Sequence, residues 1–499
     1  MPQETFSLPV FPADRPLRLT PTDVSQFVGL EQCERFLRFR LMERAGQDFM
    51  EPYGVVPQRM TPLLSMSGHD FEVQIEGVLA ARSRHVHYAA RYAQAHNRPQ
   101  NNEEVLGEAR SLKPGESVLL FQPRLEAEID GWRLRGDVDL LRLERDQDGI
   151  LLALVADMKS TTEVKVEHRL QVAFYGLMIG RIFRDGDVAH EPLQTAILFR
   201  PPAEPTPEAE SELGPLREAA LAVFGLDDAL LEVVADPGAY AQSVRDLVLG
   251  ADSTARRIAK APFDDLPFCL SFKCDGCLYG EFCLKWSAER DDLSLLPYLG
   301  GTDKEALRRA GVRSIQSLAT LKDFAPPTDG VDSRDLAPAP GREALVRRLA
   351  ATWPVGPRLD ELVHRARSFR KVVRKDGTQA LAYIPGKGNS SLPVSRPGLN
   401  PNLVRIYLDA QHDYLEDRIY LLSALVVACE GGVPVGRRSV IRVTDGPPDS
   451  AAKERDLFVA WTRELVQAVV DLAVSDTPPG ERKSAPVHVV FFDRHEQRL

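Results

Sequence analysis

Apolar positions along the chain fall into segments of two periods. In VSQFVGLEQCERFLRFRLMER (24–44) they recur at three and four, which predicts a helix. LLSMSGHDFEVQIEGVLAARSRHVHYAARYAQAH (63–96) predicts one or two more. Three strand-like runs follow: SVLLFQPRLEAEID (117–130), WRLRGDVDLLRLER (132–145) and ILLALVADMKS (150–160). HRLQVAFYGLMIGRIF (168–183) returns to the helical period, and LQTAILFRPP (193–202) predicts a strand running into a proline-rich loop. Helices, a small sheet, then helix and strand specify an α/β core over residues 1–290.

The pattern changes after that block. LSLLPYLGGTDKEALRRAGVRSIQSLATL (293–321) holds two short amphipathic stretches flanking Gly300, Gly301 and Gly311, so 291–323 is similar to a helix-hairpin-helix segment. A Pro/Gly/Asp-rich linker (324–341) leads to helical residues 342–375, with a basic, solvated end, within a linker and helical region spanning 324–395. From Asn402 the period predicts two strands in a hairpin, then a helix over 451–474 and a strand over 486–493, a second α/β region within 396–499.

With 499 residues the chain is too long for one core, and its 43% hydrophobic and 27% charged residues are ordinary for globular domains. No apolar run reaches the roughly 20 residues that span a bilayer. The N-terminus lacks the basic start and apolar stretch of a signal peptide, so a cytoplasmic location with reduced thiols is expected. The net charge of −10 argues against wholesale polyanion binding but does not exclude a local basic groove.

Candidate chemistry concentrates in LRGDVDLLRLERDQDGILLALVADMKS. Asp139 sits on one strand-like run, and Asp157 and Lys159 lie two apart on the next, which puts the latter pair on one face. Carboxylates from adjacent strands suit a divalent cation, with the lysine polarising a phosphate or orienting a water. Oxygen ligands favour Mg²⁺ or Mn²⁺ over zinc. In QVAFY, Gln171 and Tyr175 stand one helical turn apart. Separately, Cys274, Cys277 and Cys283 form C-x2-C-x5-C, with Cys269 just upstream. Thiolates at that spacing suit either zinc or an iron–sulfur cluster.

The ordered series GDVD (136–139), DMK (157–159) and QVAFY (171–175) resembles the RecB-type branch of the PD-(D/E)XK nucleases. The resemblance implies a restriction-endonuclease-like core with helical additions, and Mg²⁺- or Mn²⁺-dependent hydrolysis of DNA, acting as an exonuclease on single-stranded ends in repair, recombination or defence. It implies Asp139, Asp157, Lys159, Gln171 and Tyr175 as catalytic-site residues. A further metal ligand is expected four residues after a glycine on an early helix. In SGHDFE that register gives Glu72, with His69 as the alternative.

LEQCERFLRFRL around Cys33 and CDGCLYGEFC (274–283) together resemble the iron–sulfur members of that branch, of the AddB and CRISPR-associated RecB-like exonuclease type. Glu34 stands where proline is usual. The resemblance implies a 4Fe–4S cluster on Cys33, Cys274, Cys277 and Cys283, closing a loop of about 250 residues as a structural staple, with Cys269 outside it; zinc is the alternative. VRIYLDAQHDYLEDRIYLLSALVV resembles the opening of a DEDD-type RNase-H-like domain, and PVHVVFFDRHEQRL (486–499) resembles its later His/Asn-x-x-x-Glu strand end. Asp409 matches the first carboxylate, but Gln411 replaces the second, so this partial RNase-H-like α/β domain is expected to be inactive. The order of segments resembles long bacterial nuclease–helicase proteins. No Walker A pattern occurs, so a helicase partner would be a separate chain. A catalytically idle DNA-binding scaffold is the rival reading.

Overall fold

Thr20 starts the first helix by a reciprocal cap. Its Oγ1 accepts the Asp23 N–H at 3.1 Å, while Asp23 Oδ2 accepts the Thr20 N–H at 2.9 Å, with Pro21 at the first helical position. The computed structural model describes residues 17–57, 62–88, 99–202, 207–324, 336–371, 397–398, 400–413, 418–431, 433–473 and 485–491. The chain forms two units, Met1–Ile384 and Pro385–Leu499.

The first unit runs β1 (Leu17–Leu19), α1 (Pro21–Gly29), α2 (Glu34–Arg44), α3 (Pro62–Arg82), β2 (His85–His87), α4 (Asn102–Ser111), β3 (Ser117–Phe121), β4 (Arg124–Ile129), β5 (Trp132–Asp137), β6 (Leu140–Arg145), β7 (Leu151–Lys159) and α5 (Val166–Asp185). It continues through β8 (Gln194–Phe199), α6 (Pro207–Phe224), β9 (Leu230–Val233), α7 (Pro237–Val244), α8 (Thr254–Lys260), α9 (Gly280–Glu289), α10 (Gly301–Arg309), α11 (Ile315–Ala319), β10 (Lys322–Phe324), β11 (Leu336–Pro338), α12 (Glu343–Ala350) and α13 (Leu359–Lys371). The main sheet has the order β2-β3-β6-β7-β8-β9, and a three-stranded sheet has the order β1-β5-β4.

Two faces of the main sheet carry separate cores, because side chains alternate along each strand. Leu141, Leu143, Ala153 and Val155 join α5 through Leu170, Phe174, Met178 and Ile182. Leu140, Leu154, Ala156 and Met158 on the other face meet Phe71, Ile75 and Leu79, a stripe at every fourth residue of α3. Helices on both faces of a sheet hold β7 rigidly in the middle.

The helix expected over 24–44 is two. Between α1 and α2 the chain turns at Glu31 and Gln32, whose φ values of 56° and 57° are left-handed. The apolar period runs through this break, so the pattern did not reveal it; non-glycine residues reach that region only when the surroundings hold them there. The run expected over 117–130 divides at Gln122 (φ 50°) and Pro123 into β3 and β4, which join different sheets. The run over 132–145 likewise divides into β5 and β6 around Val138 and Asp139.

The second unit comprises β12 (Asn402–Asp413), β13 (Arg418–Glu430), β14 (Val433–Val443), α14 (Ala451–Ala473) and β15 (Val487–Val490). Its sheet has the order β14-β13-β12-β15, antiparallel except for β15, which runs parallel to β12. The hairpin expected from Asn402 is present, and β14 extends it beyond the expectation. The last residues of the expected 486–499 motif lie outside the described residues. Among the described residues no helix is long and apolar enough to cross a membrane.

Candidate active site

Where β6 and β7 pair antiparallel, Leu140 faces Ala156, so one step further out Asp139 reaches the level of Asp157. Asp139 is fixed there by its own carboxylate, whose Oδ2 accepts the Met158 N–H at 2.7 Å. Asp157 is buried, 1% exposed, with Oδ1 accepting Gln171 Nε2–H at 2.8 Å. Lys159, two residues along on the same face, brings Nζ to 2.5 Å from Asp157 Oδ2. That contact is a buried ion pair, with the lysine ammonium set on the second carboxylate oxygen of Asp157.

Carboxylates are crowded here. Burial and then the Asp157 charge push Asp139 well above the ordinary carboxylate range, with Glu72 adding to the effect and Lys159 opposing it. Glu72, on α3, is raised by burial and by Glu76 and Asp157, against Lys159 and His69. Burial works against the charge on Lys159, but Asp157, Asp139 and Glu72 outweigh it and hold its pKa above the usual lysine value. Glu72 therefore joins the Asp139/Asp157/Lys159 group electrostatically, while His69 is an exposed neighbour.

The helix α5 braces this group. Gln171 and Tyr175, one turn apart, are both buried. Gln171 fixes Asp157, and the Tyr175 hydroxyl donates to the Asp137 carbonyl at 2.6 Å. Gly136 has a steric reason: a Cβ there would come within 2.6 Å of Tyr175 Cε1 and 3.1 Å of Pro21 Cδ. The glycine and the tyrosine of the two sequence motifs are thus one contact. A supporting network went unseen in the sequence. Glu76, one turn beyond Glu72, accepts Gln122 Nε2–H at 3.0 Å and pairs with His87 Nε2 at 2.8 Å. Its only sequence signal is the four-residue spacing from Glu72.

Among the described residues no three or more His, Cys, Asp or Glu side chains stand grouped as around a bound ion. The residues at the end of β7 nonetheless suit a hard divalent cation. Asp139 and Glu72 are both held above the ordinary carboxylate range by burial and by neighbouring carboxylates, a crowding that a divalent cation would offset.

The cysteines gather elsewhere in the same unit. Cys33 caps α2, Cys274 and Cys277 belong to and follow the 3-10 turn Phe272–Gly276, and Cys283 lies in α9. Lys273 Nζ donates to the Gly29 carbonyl at 3.0 Å and pairs with Glu31 at 3.2 Å, which ties the two distant segments together. Cys33, Cys269, Cys274 and Cys277 line a cavity of about 500 Å³. Burial pushes Cys277 up to about 11 and Cys283 up to about 12, and Cys33 and Cys274 add to both shifts. The four thiols are therefore within electrostatic reach of one another. Cys269 is within the same electrostatic reach of Cys274, and its Sγ–H donates to the Leu299 carbonyl at 3.5 Å.

The family model of the PD-(D/E)XK nuclease superfamily matches residues 56–284, and the chain carries a domain of that superfamily there. Its members are generally metal-dependent nucleases, which implies DNA as the substrate. A solved structure titled "Crystal structure of SSO0001" is similar at 11% identity and a TM-score of 0.25, over 54% of this chain and 86% of that one. That score is too low to speak for a shared arrangement. No curated protein matches the chain.

Proposed function

We propose that this chain, with its PD-(D/E)XK nuclease superfamily domain over residues 56–284, is a Mg²⁺- or Mn²⁺-dependent deoxyribonuclease that degrades DNA from single-stranded ends. One observation carries the reading: a buried Asp157 ion-paired with Lys159, with Asp139 beside it on the Met158 N–H and Glu72 within electrostatic reach. A cation held by Asp139, Asp157 and Glu72 would supply charge neutralisation at the phosphate and a lowered pKa for the attacking water. Lys159 keeps its proton at Nζ and can donate it as a hydrogen bond to a phosphate oxygen or to that water. Gln171 holds the Asp157 carboxylate in one rotamer. Tyr175 fixes the end of β5, just before the turn that carries Asp139, through the Asp137 carbonyl.

The RecB-like, iron–sulfur branch remains our reading for Cys33, Cys274, Cys277 and Cys283, with the 4Fe–4S group serving as a staple. Its support is the mutual reach of the four thiols, which Cys269 shares through Cys274 while its own Sγ–H donates to the Leu299 carbonyl. For 396–499 the RNase-H-like reading is supported by three antiparallel strands followed by a helix and a strand parallel to the first. Gln411 Nε2 donates to Asp409 Oδ1 at 3.2 Å, a neutral donor where a second carboxylate would bind metal, and this favours an inactive site.

Asp157→Ala tests the main reading. It is expected to abolish Mn²⁺-dependent degradation of end-labelled linear single-stranded DNA while DNA binding persists. Undiminished degradation by the variant would sink the nuclease assignment. A wild-type chain that binds DNA without hydrolysing it would return the scaffold reading.

A further inference from the structure

Helices α10 to α13 pack around a core of their own, built from Leu307, Ile315, Leu349, Leu362 and their neighbours. Two large aromatic side chains stay outside it: Tyr298 is 79% exposed and Trp353 82%. Exposed apolar residues are ordinary when they stand singly, but two rings this open beside one turn mark a surface that something covers. Tyr298 is also held at a left-handed φ of 61°, which a bulky side chain adopts only when its surroundings impose it. Those surroundings are basic. Arg358 Nη2–H donates to the Tyr298 carbonyl at 2.8 Å, and the Arg365 guanidinium carbon lies 4.9 Å from the centre of the Tyr298 ring. One face of the ring therefore rests on a cation while the other is open to solvent. Trp353 flanks the same place, between the end of α12 and the 3-10 turn Gly356–Arg358.

Charge indicates what would cover these rings. Residues 293–324 and 336–371 hold thirteen Lys and Arg against six Asp and Glu, in a chain whose net charge is −10. Arg358 and Arg365 are already paired, with Asp303 and Glu361. Arg313, Arg342 and Arg347 are exposed and make no ion pair among the described residues. Arg347 is in the last turn of α12, just ahead of Trp353. Arg348 Nη2–H donates to the Ala310 carbonyl at 2.7 Å, which brings α12 against the turn that carries Arg313. An apolar partner would leave these cations uncompensated. A nucleic acid strand neutralises them with its phosphates while its bases meet the rings. Bases in a duplex are stacked on one another, so only unpaired ones offer a face.

We propose that Tyr298 and Trp353 form a stacking platform for unpaired bases of a DNA strand, with Arg347 and its neighbouring arginines on the phosphates. The choice of DNA rests on the deoxyribonuclease reading. The platform adds a holding site on different elements from those carrying Asp139, Asp157 and Lys159.

The test uses full-length protein in EDTA, so that no strand is cut, and a fluorescein-labelled oligodeoxythymidylate followed by anisotropy. Tyr298→Ala and Trp353→Ala are each expected to raise Kd about tenfold without changing its salt dependence. Tyr298→Phe and Trp353→Phe, which keep a ring, should bind near wild type. Arg347→Ala should instead reduce the slope of log Kd against log salt by about 0.7, the share of one phosphate contact on a single strand. Binding of a blunt duplex should respond to neither aromatic change, and an equal loss there overturns the platform. A further readout needs no variant. The other tryptophans, Trp132, Trp286 and Trp461, are buried, so the oligonucleotide should shield wild-type emission from acrylamide through Trp353. Unshielded emission, or wild-type affinity in a folded double variant lacking both rings, overturns the platform and leaves the hydrolytic site standing. If the rings govern binding in a wild type that hydrolyses no DNA with Mn²⁺, the platform stands and the nuclease reading fails.

Discussion

Asp23 illustrates how one side chain fastens the frame on which the site is built. It is fully buried, and its carboxylate takes Arg40 Nε at 2.6 Å, Arg44 Nε at 3.0 Å and the Thr20 N–H at 2.9 Å. Burial alone would raise its pKa, but Arg40 and Arg44 outweigh burial and hold it below the ordinary value. A carboxylate depressed on folding contributes stability that is complete above its unfolded pKa of about 3.9 and is lost as pH falls through its folded pKa. Thermal unfolding midpoints of wild type should therefore drop in that acid range more steeply than those of Asp23→Asn. At neutral pH the variant should be about 2 kcal/mol less stable, since Arg40 and Arg44 lose their buried anionic acceptor while Arg40 keeps Glu43. Equal acid sensitivity in the two chains would remove this residue from the account.

At the scale of elements, the decisive contact is the approach of α5 to the end of β5. Tyr175 occupies the space where a Gly136 side chain would lie, and Pro21 of α1 closes the same space from another side. Gly136→Ala is expected to force Tyr175 off the Asp137 carbonyl, at a cost of about 1 to 3 kcal/mol from overpacking. Metal-dependent hydrolysis should fall with it, because the turn carrying Asp139 follows directly. Gly77→Ala is the matching control: nothing lies within 4 Å of a Cβ there, and the residue is inside α3. That change should stabilise by about 0.5 to 1 kcal/mol through helix propensity. Denaturant titrations with initial-rate assays separate the two. A Gly136→Ala chain as stable and active as wild type would show that the close approach is immaterial.

For the molecule as a whole, every residue assigned to hydrolysis or to the cysteine group lies within the first unit, Met1–Ile384. A chain ending at residue 384 should keep Mn²⁺-dependent hydrolysis that Asp157→Ala abolishes, as domains with their own cores fold alone. If the shortened chain is folded by circular dichroism yet inactive, the second unit is required for catalysis and the assignment of the site to the first unit fails. Within that unit, α2 and α9 already meet through aromatic rings, with Phe39 centred 4.7 Å from Tyr279 and 4.9 Å from Phe282. A metal group on Cys33 and Cys283 would thus reinforce an existing closure of the chain rather than create it.

How much of this was legible beforehand depends on the range of the interaction. Asp157 and Lys159 share a face because side chains alternate along a strand, and Gln171 and Tyr175 share one because a helix repeats every 3.6 residues. Such local periods are written in the sequence, as was the rear cysteine spacing. The break at Glu31 and Gln32 was not, because the apolar period continues across it and only tertiary surroundings impose left-handed backbone there. The division of 117–130 between two sheets was hidden for the same reason, since one continuous strand pattern serves either sheet. Non-local contact alone decided that Gly136 accommodates Tyr175, that Glu76 meets His87 and Gln122, and that Arg35 is buried among the rings of Phe263, Phe268 and Trp286. The sequence by itself determined which chemical groups are present and which face of each element they occupy. Only the tertiary structure decided which of those faces meet, because packing brings together residues whose separation along the chain carries no period.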